Sequence, residues 1–487
     1  MSAGPDAEGV RKALKRRSKI VATLGPATGS PEMISRLLEA GVNVFRLNFS
    51  HGTKDMHREN IGFIRSEARR LNRAVGVLQD LQGPKIRTGT FQDGKVELKP
   101  GARFDLTCDD DSPGDESRVG VTYPGLYTDV RAGDTLLLDD GRLSLTVQDV
   151  QRQRIQTEVD TGGILSNNKG INIPGADLSI PALTDKDVSD LITGVELDVD
   201  WVAMSFVRSR DDLLLARHYL SREGSPAKLM AKIEKPGAVE RFDEILREVD
   251  GIMVARGDLG VEMPPESVPG IQKRLIRAAV DAGKPVITAT QMLESMIQNS
   301  SPTRAEASDV ANAIYDGTDA VMLSAETAIG AYPIQAVRMM DRIARTVESD
   351  PKYQESMRAL HLTSDTSTAD VVSVGACDMA HNLSASLIVT FTSSGSTAQR
   401  VSRNRPAAPV LMLTPSERAA RQLALSWGVV PFVGEEIHST DEMVEVAIRA
   451  INELGIGEPD GRFVITAGVP FGQRGTTNLI RIEHMPR

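Results

Sequence analysis

Cysteine is nearly absent from this chain: two residues in 487, Cys108 and Cys377, far apart in sequence. That excludes a disulfide framework and any cysteine-based metal or redox motif, and it fits a reducing compartment. A basic excess is also missing. Lys and Arg number 56 against 66 Asp and Glu, a net charge of -10, which argues against a nucleic-acid partner. No apolar run approaches the ~20 residues a bilayer-spanning helix needs, so no membrane partner is expected. Residues Met1 to Ser18 are polar and lack the apolar segment of a signal peptide; the expected location is the cytoplasm. Their basic run, Lys15-Arg16-Arg17, reads as a solvated helix end. There is neither a fixed-period repeat nor a low-complexity tract.

What is present is alternation. A chain of this length needs two to four domains, and 40% hydrophobic with 25% charged residues is ordinary for globular ones. Eight short apolar runs, around Ile20–Thr23, Val42–Leu47, Ala74–Gln79, Trp201–Phe206, Lys228–Ile233, Gly251–Ala255, Pro285–Ala289 and Ala320–Leu323, are mostly followed by helical stretches. Ser30-Pro31-Glu32 has the form of a helix start closed by Gly41, and Pro302-Thr303-Arg304-Ala305-Glu306 opens another helix. Eight strand-helix units predict a closed (β/α)8 barrel with its site at the C-terminal strand ends. Between about Thr88 and Pro181 the alternation gives way to short strands with frequent Gly, Asp and Thr. This predicts an inserted small β-barrel domain over the barrel mouth, placed to act as a lid. After Ser349-Asp350-Pro351, read as a linker, a second α/β pattern begins near Thr368. The expected division is 1–87 with 182–350, 88–181, and 351–487.

Four groups fall at the C-terminal ends of barrel strands. Lys232-Ile233-Glu234 and Arg256-Gly257-Asp258 follow consecutive strands. Paired carboxylates there suit one hard divalent cation, Mg²⁺ or Mn²⁺, since neither His nor Cys is part of the pair. Lys232 adds positive charge, and Gly257 lets backbone N–H groups approach a bound anion. Each acid alone fits a helix cap equally well. Arg46-Leu47-Asn48-Phe49-Ser50-His51 follows strand two; Arg46 suits phosphate, Asn48 and Ser50 offer neutral oxygens, and His51 alone fits a structural role. Asp80-Leu81-Gln82-Gly83-Pro84-Lys85-Ile86-Arg87 joins strand three to the insertion, and Thr290 ends strand seven, where it fits either a pocket hydroxyl or a helix cap. Converged, Arg46, Lys85, Arg87, Lys232 and a metal would make a strongly positive well for a small polyanion.

The chain resembles the pyruvate kinases. The resemblance rests on Phe45–Gly52, Gly83–Gly89, Lys169–Gly175, Lys232–Glu234, Met253–Gly260, Ala289–Met296 and Pro302–Glu306, in that order. It implies phosphoryl transfer from phosphoenolpyruvate to ADP, giving pyruvate and ATP, on a barrel with an inserted β-barrel domain and a C-terminal α/β domain. By the same resemblance Glu234 and Asp258 hold Mg²⁺, Lys232 steadies the moving phosphoryl group and Arg46 grips phosphate. The backbone at Ala255, Arg256 and Gly257 cradles the substrate carboxylate, and Thr290 lies where the enolate is protonated. Asn48, His51, Arg87 and Lys169 match nucleotide positions. Asn48, Ser50, Asp80 and Leu81 match positions that hold K⁺ in members with Glu at Lys85. An ammonium in that place implies that K⁺ is not required. Thr392-Ser393-Ser394-Gly395-Ser396-Thr397 matches an effector loop, and Ser393 where other members carry Lys points to a monophosphate, AMP or a sugar monophosphate. A homotetramer is also implied. Two other readings stay open: a Mg²⁺-dependent pyruvate or enolate lyase or aldolase of the related barrel superfamily, which needs no lid, and a non-enzymatic effector sensor, which would have lost Lys232, Glu234 or Asp258.

Overall fold

The computed structural model describes residues 14–176, 178–359, 367–471 and 475–486. Eight parallel strands close into a barrel: Lys19–Thr23, Val44–Asn48, Gly76–Asp80, Trp201–Met204, Lys228–Ile233, Gly251–Ala255, Val286–Ala289 and Ala320–Leu323, here barrel strands one to eight. Strand one pairs with strands two and eight, which closes the ring. Buried Val, Ile, Leu, Ala and Met fill these strands, as expected where both faces are covered. Ser30 accepts from the Met33 N–H at the start of helix Pro31–Ala40, and Gly41 ends it at φ +122°. Thr303 and Glu306 form a reciprocal cap on helix Arg304–Tyr315.

The insertion is a β domain with its own core around Phe104, Leu106, Leu136 and Leu145. It has a six-stranded sheet, with Leu143–Gln151 and Arg154–Thr161 at its centre, and a two-stranded sheet. Its contacts with the barrel mouth include a buried one: Asn172 Nδ2 donates to Glu262 Oε1 at 2.7 Å, and Lys235 Nζ meets the same oxygen at 2.6 Å. The C-terminal domain is a five-stranded sheet in the order Val429–Val433, Val410–Thr414, Leu387–Phe391, Arg462–Gly468, Thr477–His484, the last strand antiparallel. No helix among the described residues is long and apolar enough to cross a membrane.

After the last barrel helix, Asp350 caps a further helix, Pro351–Arg358, that buries Tyr353 and Met357. One expectation is corrected. The Lys15-Arg16-Arg17 run is not a solvated helix end. Only Lys15 is exposed. Arg16 is buried, with Nη1 on Asp341 Oδ1 at 2.8 Å and Nη2 on the Gly41 carbonyl and Asn43 Oδ1, both at 2.6 Å. Arg17 donates to the Ala407 carbonyl of the C-terminal domain at 2.7 Å. A charge pattern alone does not reveal that another domain packs over it.

Candidate active site

Barrel strands three, four and five bring the first cluster together. In the register, Asp80 sits beside Asn48 and Ala203, and Lys232 beside Met253. Asp80 is buried between two cations: Arg46 Nε donates to Oδ2 at 2.6 Å, and Lys232 Nζ lies 3.2 Å from Oδ1. Burial alone would raise the Asp80 carboxyl, but the charges of Lys232 and Arg46 outweigh it and hold it below the ordinary value. Lys232 also meets Glu234 Oε1 at 2.8 Å and donates to Ser205 Oγ at 2.7 Å. Burial would lower the ammonium; Asp80 and Glu234 win and raise it, so it stays charged. Burial pushes the Glu234 carboxyl up, and repulsion from Asp258 adds to this against the pull of Lys232.

Asp258 stands in the first turn of the short helix Arg256–Glu262 that follows strand six. Lys85 Nζ is 3.9 Å from its Oδ1. The two acids thus face one region, Glu234 raised by its burial with the charge of Asp258 adding to it, and a divalent cation would offset both. They number only two; among the described residues no group of three or more His, Cys, Asp or Glu is placed to share a metal. Two carboxylates with remaining positions left to substrate oxygens and water fit Mg²⁺ or Mn²⁺. The positive well expected from the sequence counts a metal, and the side chains show why it must. Arg46, Lys232 and Lys85 are each paired with Asp80, Glu234 or Asp258, so a positive excess needs the metal as well.

Strand seven ends in strain. Thr290 and Gln291 adopt φ +65° and +54°, costly for a β-branched residue, on the order of 1–3 kcal/mol. No helix begins at Gln291, so the cap reading fails. Thr290 Oγ1 instead accepts the Gly257 N–H at 2.7 Å and donates to the Ala289 carbonyl at 2.7 Å. Strands six and seven pair Ala255 with Ala289, which sets these two turns side by side. The Arg256 guanidinium turns away, to Asp309 Oδ1 at 2.6 Å and the Thr290 carbonyl at 2.8 Å, and leaves its backbone as the part near the cluster.

The remaining positions are dispersed. Asn48 Oδ1 accepts the Ser50 N–H at 3.1 Å, and the Asn48 carbonyl accepts that of His51 at 3.2 Å; the His51 side chain is exposed. The Leu81 carbonyl accepts from Ser205 at 2.7 Å. Lys85 forms its ion pair with Asp258, not with Asp80. Arg87 donates to the Asn168 carbonyl at 3.0 Å, and Lys169 pairs with Asp139 at 2.6 Å inside the insertion. Thr392, Ser393, Ser394, Ser396 and Thr397 line a cavity of about 70 Å³ in the C-terminal domain. Gly395, at φ +86°, donates to Thr392 Oγ1 at 3.0 Å; Ser394 donates to Ser396 Oγ at 3.2 Å, and the hydroxyls of Thr397 and Thr477 share a bond at 2.7 Å.

Sequence reasoning missed Ser205 and Phe206. Ser205 Oγ joins Lys232 to the Leu81 carbonyl, and the Phe206 N–H donates to Glu234 Oε2 at 2.8 Å. Their signal was available: they are the last two residues of the apolar run Trp201–Phe206, just past strand four. Phe206 also explains Gly83. At φ +67°, a Cβ on Gly83 would lie 2.7 Å from the Phe206 ring, so the turn carrying Lys85 closes only on glycine.

Two family models match the chain. "Pyruvate kinase, barrel domain" matches residues 15–337, and "Pyruvate kinase, alpha/beta domain" matches 370–483. Relatives named pyruvate kinase come from Agrobacterium vitis, 48% identical over 467 residues (96% of each chain), and from Clostridium acetobutylicum, 43% identical over 469 residues (96% of this chain, 99% of the relative). One from Geobacillus stearothermophilus is 46% identical over 473 residues, 96% of this chain and 80% of the relative.

Proposed function

Because the chain belongs to the pyruvate kinase family, we infer that it moves the phosphoryl group of phosphoenolpyruvate onto ADP at the barrel mouth. The enol phosphate P–O bond breaks, a P–O bond to the terminal ADP oxygen forms, and the enolate takes a proton at carbon to give pyruvate. One observation carries the assignment of residues: Lys232 lies between Asp80 and Glu234 with Asp258 nearby. Lys232, held charged, steadies the negative charge on the group in flight. Arg46, oriented by Asp80, binds phosphate oxygens. Glu234 and Asp258 are the residues that would hold Mg²⁺ or Mn²⁺, which when bound supplies the positive charge that gathers substrate carboxylate and phosphoryl oxygens. The backbone at Ala255, Arg256 and Gly257 receives the carboxylate, and Thr290 is the side chain nearest that backbone from which a proton relay to the enolate can start. The lyase reading explains neither the insertion nor the C-terminal domain.

We propose that Asn48, His51, Arg87 and Lys169 serve ADP. Lys169 and Arg87 then have to exchange Asp139 and the Asn168 carbonyl for nucleotide phosphates, which the insertion (88–181) achieves by closing over the barrel (1–87 and 182–350) as a lid. Lys85 supplies the charge that K⁺ gives elsewhere, near Asn48, Ser50, Asp80 and Leu81, once a metal takes over Asp258. The loop Thr392–Thr397 of the C-terminal domain (351–487) binds a phosphorylated effector, and the working form is a cytoplasmic homotetramer. A lactate-dehydrogenase-coupled assay with phosphoenolpyruvate, ADP and Mg²⁺ tests the reaction. Turnover undiminished in tetramethylammonium buffer is the expected result for Lys85, and a many-fold rise on adding K⁺ rejects that role. Thr392→Ala with Ser394→Ala should abolish activation by whichever sugar phosphate or AMP activates; unchanged activation rejects that loop.

A further inference from the structure

A large cavity lies neither at the barrel mouth nor at the Thr392 loop. It measures about 610 Å³ and opens where the last barrel helix, Pro333–Glu348, and the helix Pro351–Arg358 meet the C-terminal domain. That is the size of a small-molecule site, and domain junctions are where such sites recur. Lys15, Arg17, Arg345, Arg358 and Arg405 line it, with Glu348 the one acid.

The pairing of these groups leaves charge over. Asp319 is bound to Arg405 at 3.0 Å, Asp341 to Arg345 at 3.0 Å, and Glu348 accepts the backbone N–H groups of Arg17 and Ser18 at 2.6 and 2.7 Å. Asp341 is shared with the buried Arg16 at 2.8 Å, so among the described residues the cations at this junction outnumber the three carboxylates by at least two. Arg405 Nε is buried without a hydrogen-bond partner. A flat wall completes the cavity: Trp427, with Arg405 5.1 Å above its ring, donates to the Tyr353 hydroxyl at 3.2 Å. The Thr392 cavity differs in each respect. It is about 70 Å³, Glu435 and Glu436 line it, and none of its described lining residues is Lys or Arg.

We propose that this interdomain cavity is a binding site for a phosphomonoester, a dianion whose charge matches the surplus and whose oxygens suit guanidinium groups. The attached group lies along Trp427 and Tyr353. Occupancy ties Arg17, which leads into barrel strand one, to the last barrel helix and to the loop at Arg405. The site is additional to the one that performs the reaction, and its failure leaves the reaction assignment untouched.

Calorimetric titration of the full chain with AMP, a hexose 6-phosphate and inorganic phosphate tests it. Arg17→Gln would also cut bonds to the Leu14 and Ala407 carbonyls, so the exposed pair Lys15→Glu with Arg358→Glu is the cleaner variant, expected to melt as the wild type does. At least one ester should bind saturably, tenfold or more weakly in that variant, and as in wild type when Thr392 and Ser394 are alanine. Absence of ester binding, binding of inorganic phosphate alone, equal affinity in the Lys15→Glu/Arg358→Glu variant, or loss on changing Thr392 and Ser394 overturns the proposal.

Discussion

The two ends of the barrel use the same residue types to opposite effect. At the floor, Asp200, Asp250 and Asp319 each stand one residue before a strand. Each accepts a neighbouring strand's N–H: those of Val77, Leu229 and Val286. Each also meets arginine: Arg65 and Arg421 on Asp200, Arg217 on Asp250, Arg405 on Asp319. Arg405 and Arg421 come from the C-terminal domain, so these pairs fasten two domains while they hold strand ends. At the mouth the acids are set against one another. Glu234 is raised by its burial and by Asp258, and a single lysine is shared by Asp80 and Glu234. Charges at the floor are satisfied by the protein itself; those at the mouth are balanced only pairwise and can be re-paired by a metal and a substrate. This matches the division of (β/α)8 barrels into a stabilising and a reactive face.

The comparison breaks first at Lys232. Lys232→Met should lower kcat on the order of 10²–10³-fold or more, with the protein still folded because Asp80 keeps Arg46 and Glu234 can take up a proton. The coupled assay beside circular dichroism checks it; a Lys232→Met protein that is folded and active refutes the division. Arg405→Met is the counterpart. It leaves Asp319 buried without its cation and should lower stability by about 3–5 kcal/mol, while kcat per folded molecule stays within about twofold, as read by denaturant unfolding and the same assay.

Lys19 sharpens the contrast. It is a floor cation bonded to a carbonyl: Nζ donates to the Val429 oxygen at 2.6 Å. Burial, with Arg16 adding to it, lowers its ammonium from 10.5 to about 7. Between those values the folded chain holds fewer protons at this site than the unfolded one, so stability rises with pH across that window. The full penalty is present at pH 7 and below. Lys19→Met should therefore stabilise most near pH 6 and progressively less toward pH 10, removing that upward slope from the stability profile. Melting curves at pH 6, 8 and 10 decide it; an unchanged profile means that Val429 suffices.

The mouth was legible in the sequence because its residues are contiguous and unusual: Lys232 with Glu234, Gly257 with Asp258, Arg46 two places before Asn48. All eight strands were legible for the same local reason. The floor was not. Nothing near Asp200 in sequence announces Arg421, and Arg16 looks like a surface charge until helix Pro333–Glu348 and the strand ends close over it. Ser205 was passed over because a serine near the end of an apolar run carries no distinctive chemistry until Lys232 is seen against it. Nor did the sequence show that Arg46, Lys232 and Lys85 fold beside Asp80, Glu234 and Asp258, which leaves the positive character of the pocket to the metal.

The smallest effect belongs to a contact between mouth and insertion. Glu262 Oε1 is shared by Asn172 of the insertion and Lys235 of the barrel. Asn172→Ala removes one bond to a charged group, gross worth about 1.5–3 kcal/mol, but Glu262 keeps Lys235, so the net loss is smaller. The insertion has its own core, so unfolding should not shift measurably. If the insertion closes as proposed, what should change is how it rests: the KM for ADP moves a few-fold while kcat is held, because no group near Lys232 is touched. A fall in kcat of tenfold or more with KM unchanged would show that Asn172 acts on the reacting cluster itself, and the line drawn between lid and site would have to move.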